Sequence, residues 1–63
     1  MKITIISEDH PDGLDVDWPA VPGKGDIVAF RHRGGTDALS VERVEWEFEG
    51  HSALSSVKVY LTN

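Results

Sequence analysis

Val41-Glu42-Arg43-Val44-Glu45-Trp46-Glu47-Phe48-Glu49 is the stretch whose reading decides the fold. From Val44 onward apolar and acidic residues alternate strictly. A period of two is the pattern of a β-strand, whose successive side chains point to opposite faces. Val44, Trp46 and Phe48 are therefore expected on one face, and Glu45, Glu47 and Glu49 on the other. The first face is a candidate core, with Trp46 expected to be buried among Phe48, Val28 or Phe30, Val57 and Val59. The second is a row of like charges about 6.6–6.8 Å apart.

Just upstream, Leu39 and Val41 are in phase with each other and out of phase with Val44, Trp46 and Phe48. One extra residue near Glu42-Arg43 restores the phase, which is the signature of a β-bulge. The spacing thus predicts one long, kinked strand over Leu39 to Phe48. Asp37 to Val44 is the only helical candidate, and the β-branched Val41 and Val44 favour the strand.

Outward from this strand, Lys2 to Ile6 is rich in β-branched residues and reads as a first strand. Ser7 to Gly13 is a loop. Leu14 to Trp18 alternates, with Asp15 and Asp17 opposite Leu14, Val16 and Trp18, and reads as a short edge strand. Pro19 to Gly25 holds two prolines and two glycines, a density that neither helix nor central strand tolerates. Ile27 to His32 is the next strand, and Gly34-Gly35 marks a hairpin turn. Gly50 to Ser56 reads as a small-residue loop. Val57 to Leu61 is a last strand, with Lys58 and Tyr60 on the face opposite Val57, Val59 and Leu61. The whole chain, 1–63, reads as one all-β domain: a small SH3-like barrel or a curled antiparallel sheet of four to five strands.

Sixty-three residues with eleven acidic and six basic side chains carry a formal charge of −5. Direct nucleic-acid binding and attachment to an anionic membrane both need a basic surface, so neither is expected. A protein partner with a basic surface is the natural complement. There is no cysteine, which removes disulfides, thiolate chemistry and iron–sulfur clusters. Ile3 to Ile6 is too short an apolar run for a signal peptide or a membrane span, so a cytoplasmic location is expected.

Val21-Pro22-Gly23-Lys24-Gly25-Asp26-Ile27-Val28 contains Pro22-x-x-Gly25-Asp26-x-Val28. This resembles the tight turn that feeds the second strand of many SH3-like barrels, where glycine permits the turn and aspartate satisfies its backbone donors. The later Val41-x-x-Val44-x-Trp46-x-Phe48 and Val57-x-Val59-x-Leu61 are similar to the remainder of such a unit. The likeness spans Val21 to Leu61 and extends to short reading frames of phages and prophages. It implies an accessory protein that binds and modulates a host factor or a defence complex, in the manner of an anti-CRISPR protein. The clustered tyrosines and tryptophan of a polyproline-binding groove are missing, so the resemblance supports a fold and leaves the ligand open.

Residue chemistry points away from catalysis. His10, His32 and His51 are possible acid–base groups, and Ser40, Ser52, Ser55 and Ser56 possible nucleophiles, but no nucleophile-elbow or Ser/His spacing joins them. Glu8, Asp9, His10, Asp12, Asp15 and Asp17 make an oxygen-rich segment, yet with Gly13 as the central glycine a calcium loop would place leucine and proline where ligands belong. Gly23-Lys24-Gly25 and Arg33-Gly34-Gly35 lack phosphate-loop spacing. No catalytic, cofactor or metal residue is assigned, and no cofactor is expected. Arg31, His32 and Arg33 form the basic cluster and are expected to balance the glutamate strand across a hairpin.

The expected function is therefore non-enzymatic protein binding through an acidic surface. Glu45, Glu47, Glu49, Asp15, Asp17 and Trp18 are the candidate contacts. The alternative is a small homo-oligomeric structural or virion-associated β protein. A minimal hydrolase or metal binder is a remote third. A marginal core and the apolar Trp18 beside Pro19 lead to an expected homodimer, built on an edge strand or on the Leu14–Trp18 segment.

Overall fold

The computed structural model describes residues 1–51 and 53–63. Five strands occur in chain order: β1 (Lys2–Ile6), β2 (Leu14–Asp17), β3 (Ile27–His32), β4 (Gly35–Glu49) and β5 (Ala53–Thr62). They form one sheet in the order β2-β1-β5-β4-β3, curled into a half-barrel. The protein is all-β, with no helix among the described residues. None is therefore long and apolar enough to cross a membrane. This agrees with the small, SH3-like or curled sheet expected, with one correction. β1 and β5 pair in parallel, Ile5 beside Val59, so the sheet is mixed rather than antiparallel.

β4 is the spine. Its first part pairs with β3 from Gly35 to Ser40, and its second part pairs with β5 from Ser40 to Glu49. The predicted bulge sits where the partners change: Val41 faces Leu61 and Arg43 faces Tyr60, leaving Glu42 as the extra residue. Val41 and Val44 thereby point to the same side, as the phase argument requires. A second irregularity was not anticipated. Glu47 faces Ser56 and Phe48 faces Leu54, so Ser55 is extra, and its hydroxyl donates to the Glu47 carbonyl oxygen at 3.1 Å.

Two segments expected as loop or turn are strand. β4 begins at Gly35 rather than Leu39, and β5 begins at Ala53 rather than Val57. Tight turns bring their flanks into pairing distance, and pairing overrides the weak intrinsic preference of small and polar residues. The Gly25-Asp26 turn works as its motif suggests. The Asp26 carboxylate accepts from the Gly23 amide at 2.7 Å. The Asp26 carbonyl then accepts from the Val41 amide at 2.9 Å, and the Gly25 amide donates to the Val41 carbonyl at 3.0 Å. The turn thus extends the β3–β4 ladder to the bulge.

The register divides the side chains between an inner and an outer face. Ile3, Ile5, Val41, Val57, Val59 and Leu61 are buried on the inner face. Val16, Trp18, Val21, Val28, Phe30, Leu39 and Val44 pack around that centre, half-buried. Val44, Trp46 and Phe48 do share the inner face, but the expected burial of Trp46 is overturned. Trp46 is 50% exposed and Phe48 55% exposed. The distal part of the β4–β5 hairpin extends beyond the residues that pair with β1 and β3, and there Trp46 and Phe48 stay half-exposed while Val57 is buried. Val28 and Phe30 sit against the other half of β4 and do not reach it.

Candidate functional site

The outer face begins with local pairing. On β2, Asp15 stands beside Thr4 and Asp17 beside Lys2. On β1, Thr4 stands beside Lys58 of β5, which stands beside Glu45 of β4. Asp15, Thr4, Lys58 and Glu45 therefore form one line across four strands. With neighbouring strands about 4.8 Å apart, its two acids lie about 14 Å from each other. Glu47 and Glu49 follow Glu45 on the same face by strand alternation. The five predicted acids, from distant parts of the sequence, thus share one surface.

That surface is not a bare anionic ridge. Lys58 Nζ lies 2.8 Å from Glu47 Oε1, and Arg43 Nε lies 3.4 Å from Glu45 Oε1. The Tyr60 hydroxyl donates to Glu45 Oε2 at 3.2 Å. The Arg43 guanidinium stacks over the Tyr60 ring at 4.1 Å. The hydrogen bond to Glu47, and then its charge, holds the Lys58 ammonium above its ordinary value. Glu49 makes no ion pair among the described residues. Between the two acidic margins runs a seam of Lys2, Lys58, Tyr60 and Arg43.

The acids on β2 are also engaged. Asp15 Oδ1 accepts from the Thr4 hydroxyl at 2.8 Å. Asp17 Oδ1 accepts from the Met1 ammonium at 2.7 Å, and this bond, followed by the ammonium charge, lowers the Asp17 pKa below its ordinary value. Trp18 is half-buried, with its ring against the core cluster and Phe30. It lies beside the outer acids in sequence but turns inward.

The basic cluster behaves differently from expectation. Arg31 pairs with Thr36 and His32 with Gly35, so the cluster sits opposite the first residues of β4, remote from the glutamates. The Gly34 amide donates to His32 Nδ1 at 3.1 Å, which leaves Nε2 to donate to Asp37 Oδ2 at 3.0 Å. The cations that balance the glutamates are instead Arg43 and Lys58. Lys58 and Tyr60 were visible as one face of the last strand. Only the β4–β5 register brings them to Glu45 and Glu47.

A cleft of about 380 Å³ lies between the loop after β1 and the β3–β4 hairpin, lined by Ser7, Asp9, His10, Phe30, Asp37 and Leu39 among others. Among the described residues no three His, Asp or Glu side chains converge as metal ligands. Ser52, one of the serines considered as a nucleophile, lies outside the described residues. Comparison with protein-family models, with curated proteins and with solved structures gave no match.

Proposed function

We propose that this protein is a non-enzymatic protein-binding module that works through the outer face of its sheet. The observation that carries this reading is the gathering of Asp15, Asp17, Glu45, Glu47 and Glu49 on one uncovered sheet face. Five carboxylates against Lys2, Lys58 and Arg43 leave that face net negative, in keeping with the chain's charge of −5. The partner is a protein whose basic side chains meet the two acidic margins and whose own acids or amides meet the central seam. Alternating signs at fixed spacing favour specificity and register more than raw affinity. The phage-type accessory role implied by the SH3-like resemblance, modulation of a host factor or defence complex, is one setting for such a surface.

The test is capture of partners by the immobilised chain, followed by association rates at two salt concentrations. Replacing Glu45, Glu47 and Glu49 together by Gln, and Asp15 and Asp17 by Asn, should slow association by about tenfold or more, the scale of electrostatic steering. Wild-type association should also weaken with salt. Equal rates for both proteins at both salts would reject the outer face as the binding surface.

A further inference from the structure

The inner face of the distal β4–β5 hairpin carries an apolar surface that the rest of the chain leaves open. Trp46, Phe48 and Leu54 are 50%, 55% and 44% exposed. Trp46 pairs with Val57 and Phe48 with Leu54, so these rings and branches lie side by side on one face. A trough of about 390 Å³ opens beside Trp46, between the Val21–Lys24 turn and Val44. Contiguous apolar surface rimmed by charge marks an interaction site more often than chance exposure does.

We propose that a second copy of this chain covers this face, in a two-fold contact centred on Trp46, Phe48 and Leu54. Shape is the first argument. The chain exposes 4710 Å², whereas a compact monomer of 6.9 kDa exposes about 4,000 Å² by the usual size scaling. The surplus, about 700 Å², approaches the ~800 Å² that each partner buries in a standard interface. The radius of gyration is 12.3 Å against about 10.6 Å for a compact chain of this length, and the long axis is 42 Å. An elongated chain with an exposed apolar arm has the proportions of half of a dimer.

Charge is the second argument, and it selects the face over the edge. β4 has a free edge beyond Val41, where its pairing with β3 and the Gly25-Asp26 turn ends. Antiparallel pairing of two such edges about Trp46 sets Glu45 opposite Glu47, and pairing about Glu47 sets Glu45 opposite Glu49. Like charges directly opposite destabilise a sheet. Face-to-face packing places two sheets about 10 Å apart with every one of these glutamates turned outward. Two chains of charge −5 can then meet while their acids stay in solvent. A two-fold contact is self-complementary, so Trp46 of one copy can rest on Phe48 and Leu54 of the other and reach the trough beside the partner's Trp46. The Leu14–Trp18 segment is less suited, because Trp18 is already packed against Phe30.

Sedimentation equilibrium on the full chain tests this independently of the outer-face reading. At ~100 µM the wild type should weigh twice 6.9 kDa. Phe48→Ser and Leu54→Ser should each weaken dimerisation by about tenfold or more, as hot-spot residues do. Both residues are exposed in the single chain, and circular dichroism checks that the variants fold. Replacing Glu45, Glu47 and Glu49 by Gln should not weaken the dimer, and added salt should leave it intact or tighten it. A wild-type monomer at that concentration overturns the proposal. So does a dimer indifferent to both serine variants, or one weakened by salt and by the Gln variant, which would place the contact on the outer face.

Discussion

The ring of Trp18 lies 6.3 Å from that of Phe30, tilted by 38°. Trp18 directly follows β2 and Phe30 belongs to β3, and these are the two edge strands of the sheet. The edges are thus brought together by an aromatic contact, with the buried Ile3, Ile5, Val59 and Leu61 enclosed by the curl. The Trp18 amide donates to the Met1 carbonyl at 2.9 Å, which extends the β1–β2 ladder to the ring and fixes its starting point. Curling is how a single small sheet buries one face without a second layer.

A double-mutant cycle on Trp18→Ala and Phe30→Ala should therefore show a coupling of about 0.5–1.5 kcal/mol beyond the two single losses. Chemical denaturation of the four proteins measures it. A coupling near zero would mean that the edges are held together by other contacts.

Ile5 and Val59 are neighbours across β1 and β5 and are almost fully buried. Ile5→Ala should cost about 2–5 kcal/mol. A domain this small has stability near the low end of 5–15 kcal/mol, so this variant should be close to unfolding at body temperature. Trp46→Ala removes a half-exposed ring and should cost only about 1 kcal/mol in the monomer. Thermal melts at dilute concentration compare the two directly. The reverse order would place Trp46 in the core.

Glu47 and Glu49 are near neighbours with unlike surroundings. Glu47 holds Lys58 at 2.8 Å, and Glu49 has no ion-pair partner among the described residues. Glu47→Gln should lower the melting temperature slightly, and Glu49→Gln should leave it unchanged or raise it. The pH dependence carries the same information. Because the folded Lys58 pKa is raised above its ordinary 10.5, the pair's contribution is fully present below that value and is lost as pH rises through the higher folded one. Melting at about pH 9 and about pH 11.5, on either side of the ordinary lysine range, should show a smaller alkaline loss in Glu47→Gln than in wild type. Equal losses would mean that the pair contributes nothing measurable.

Gly13, at the start of β2, has φ of +98°, and a Cβ there would stand 2.7 Å from Thr4 Cγ2. Thr4 cannot rotate away without giving up its hydrogen bond to Asp15. Gly13→Ala should therefore destabilise by at least the ~1–2 kcal/mol of left-handed strain. Gly50 has φ of +67° and open space around it, so Gly50→Asn should be tolerated, since asparagine visits this region readily. Equal tolerance at both sites would show that the β1–β2 connection gives way easily.

Much of this fold was legible residue by residue. The alternation from Val44 to Glu49 separated the two faces of β4, and the phase slip after Val41 located the bulge at Glu42. The role of Asp26 in its turn followed from its place after Gly25. These are local matters, because a strand's period and a turn's donors are set within a few bonds of chain. The five acids could likewise be placed on strand faces before their strands were placed beside one another.

Coverage, register and direction were decided only by the tertiary structure. Alternation says that Trp46 and Val44 share a face, but burial depends on what lies opposite. Val44 has the core cluster beside it, whereas Trp46 lies outside that cluster and beyond the residues of β4 that pair with β3. The glutamate row reads as uniform in sequence because Lys58 stands eleven residues from Glu47 and Tyr60 fifteen from Glu45. Pairing across β4 and β5 converts it into a seam of mixed charge with Glu49 left over. The parallel union of β1 with β5 joins the two ends of the chain, and no local pattern records it. Each depends on contacts between distant residues, whose free energy belongs to the pair and to the space around it.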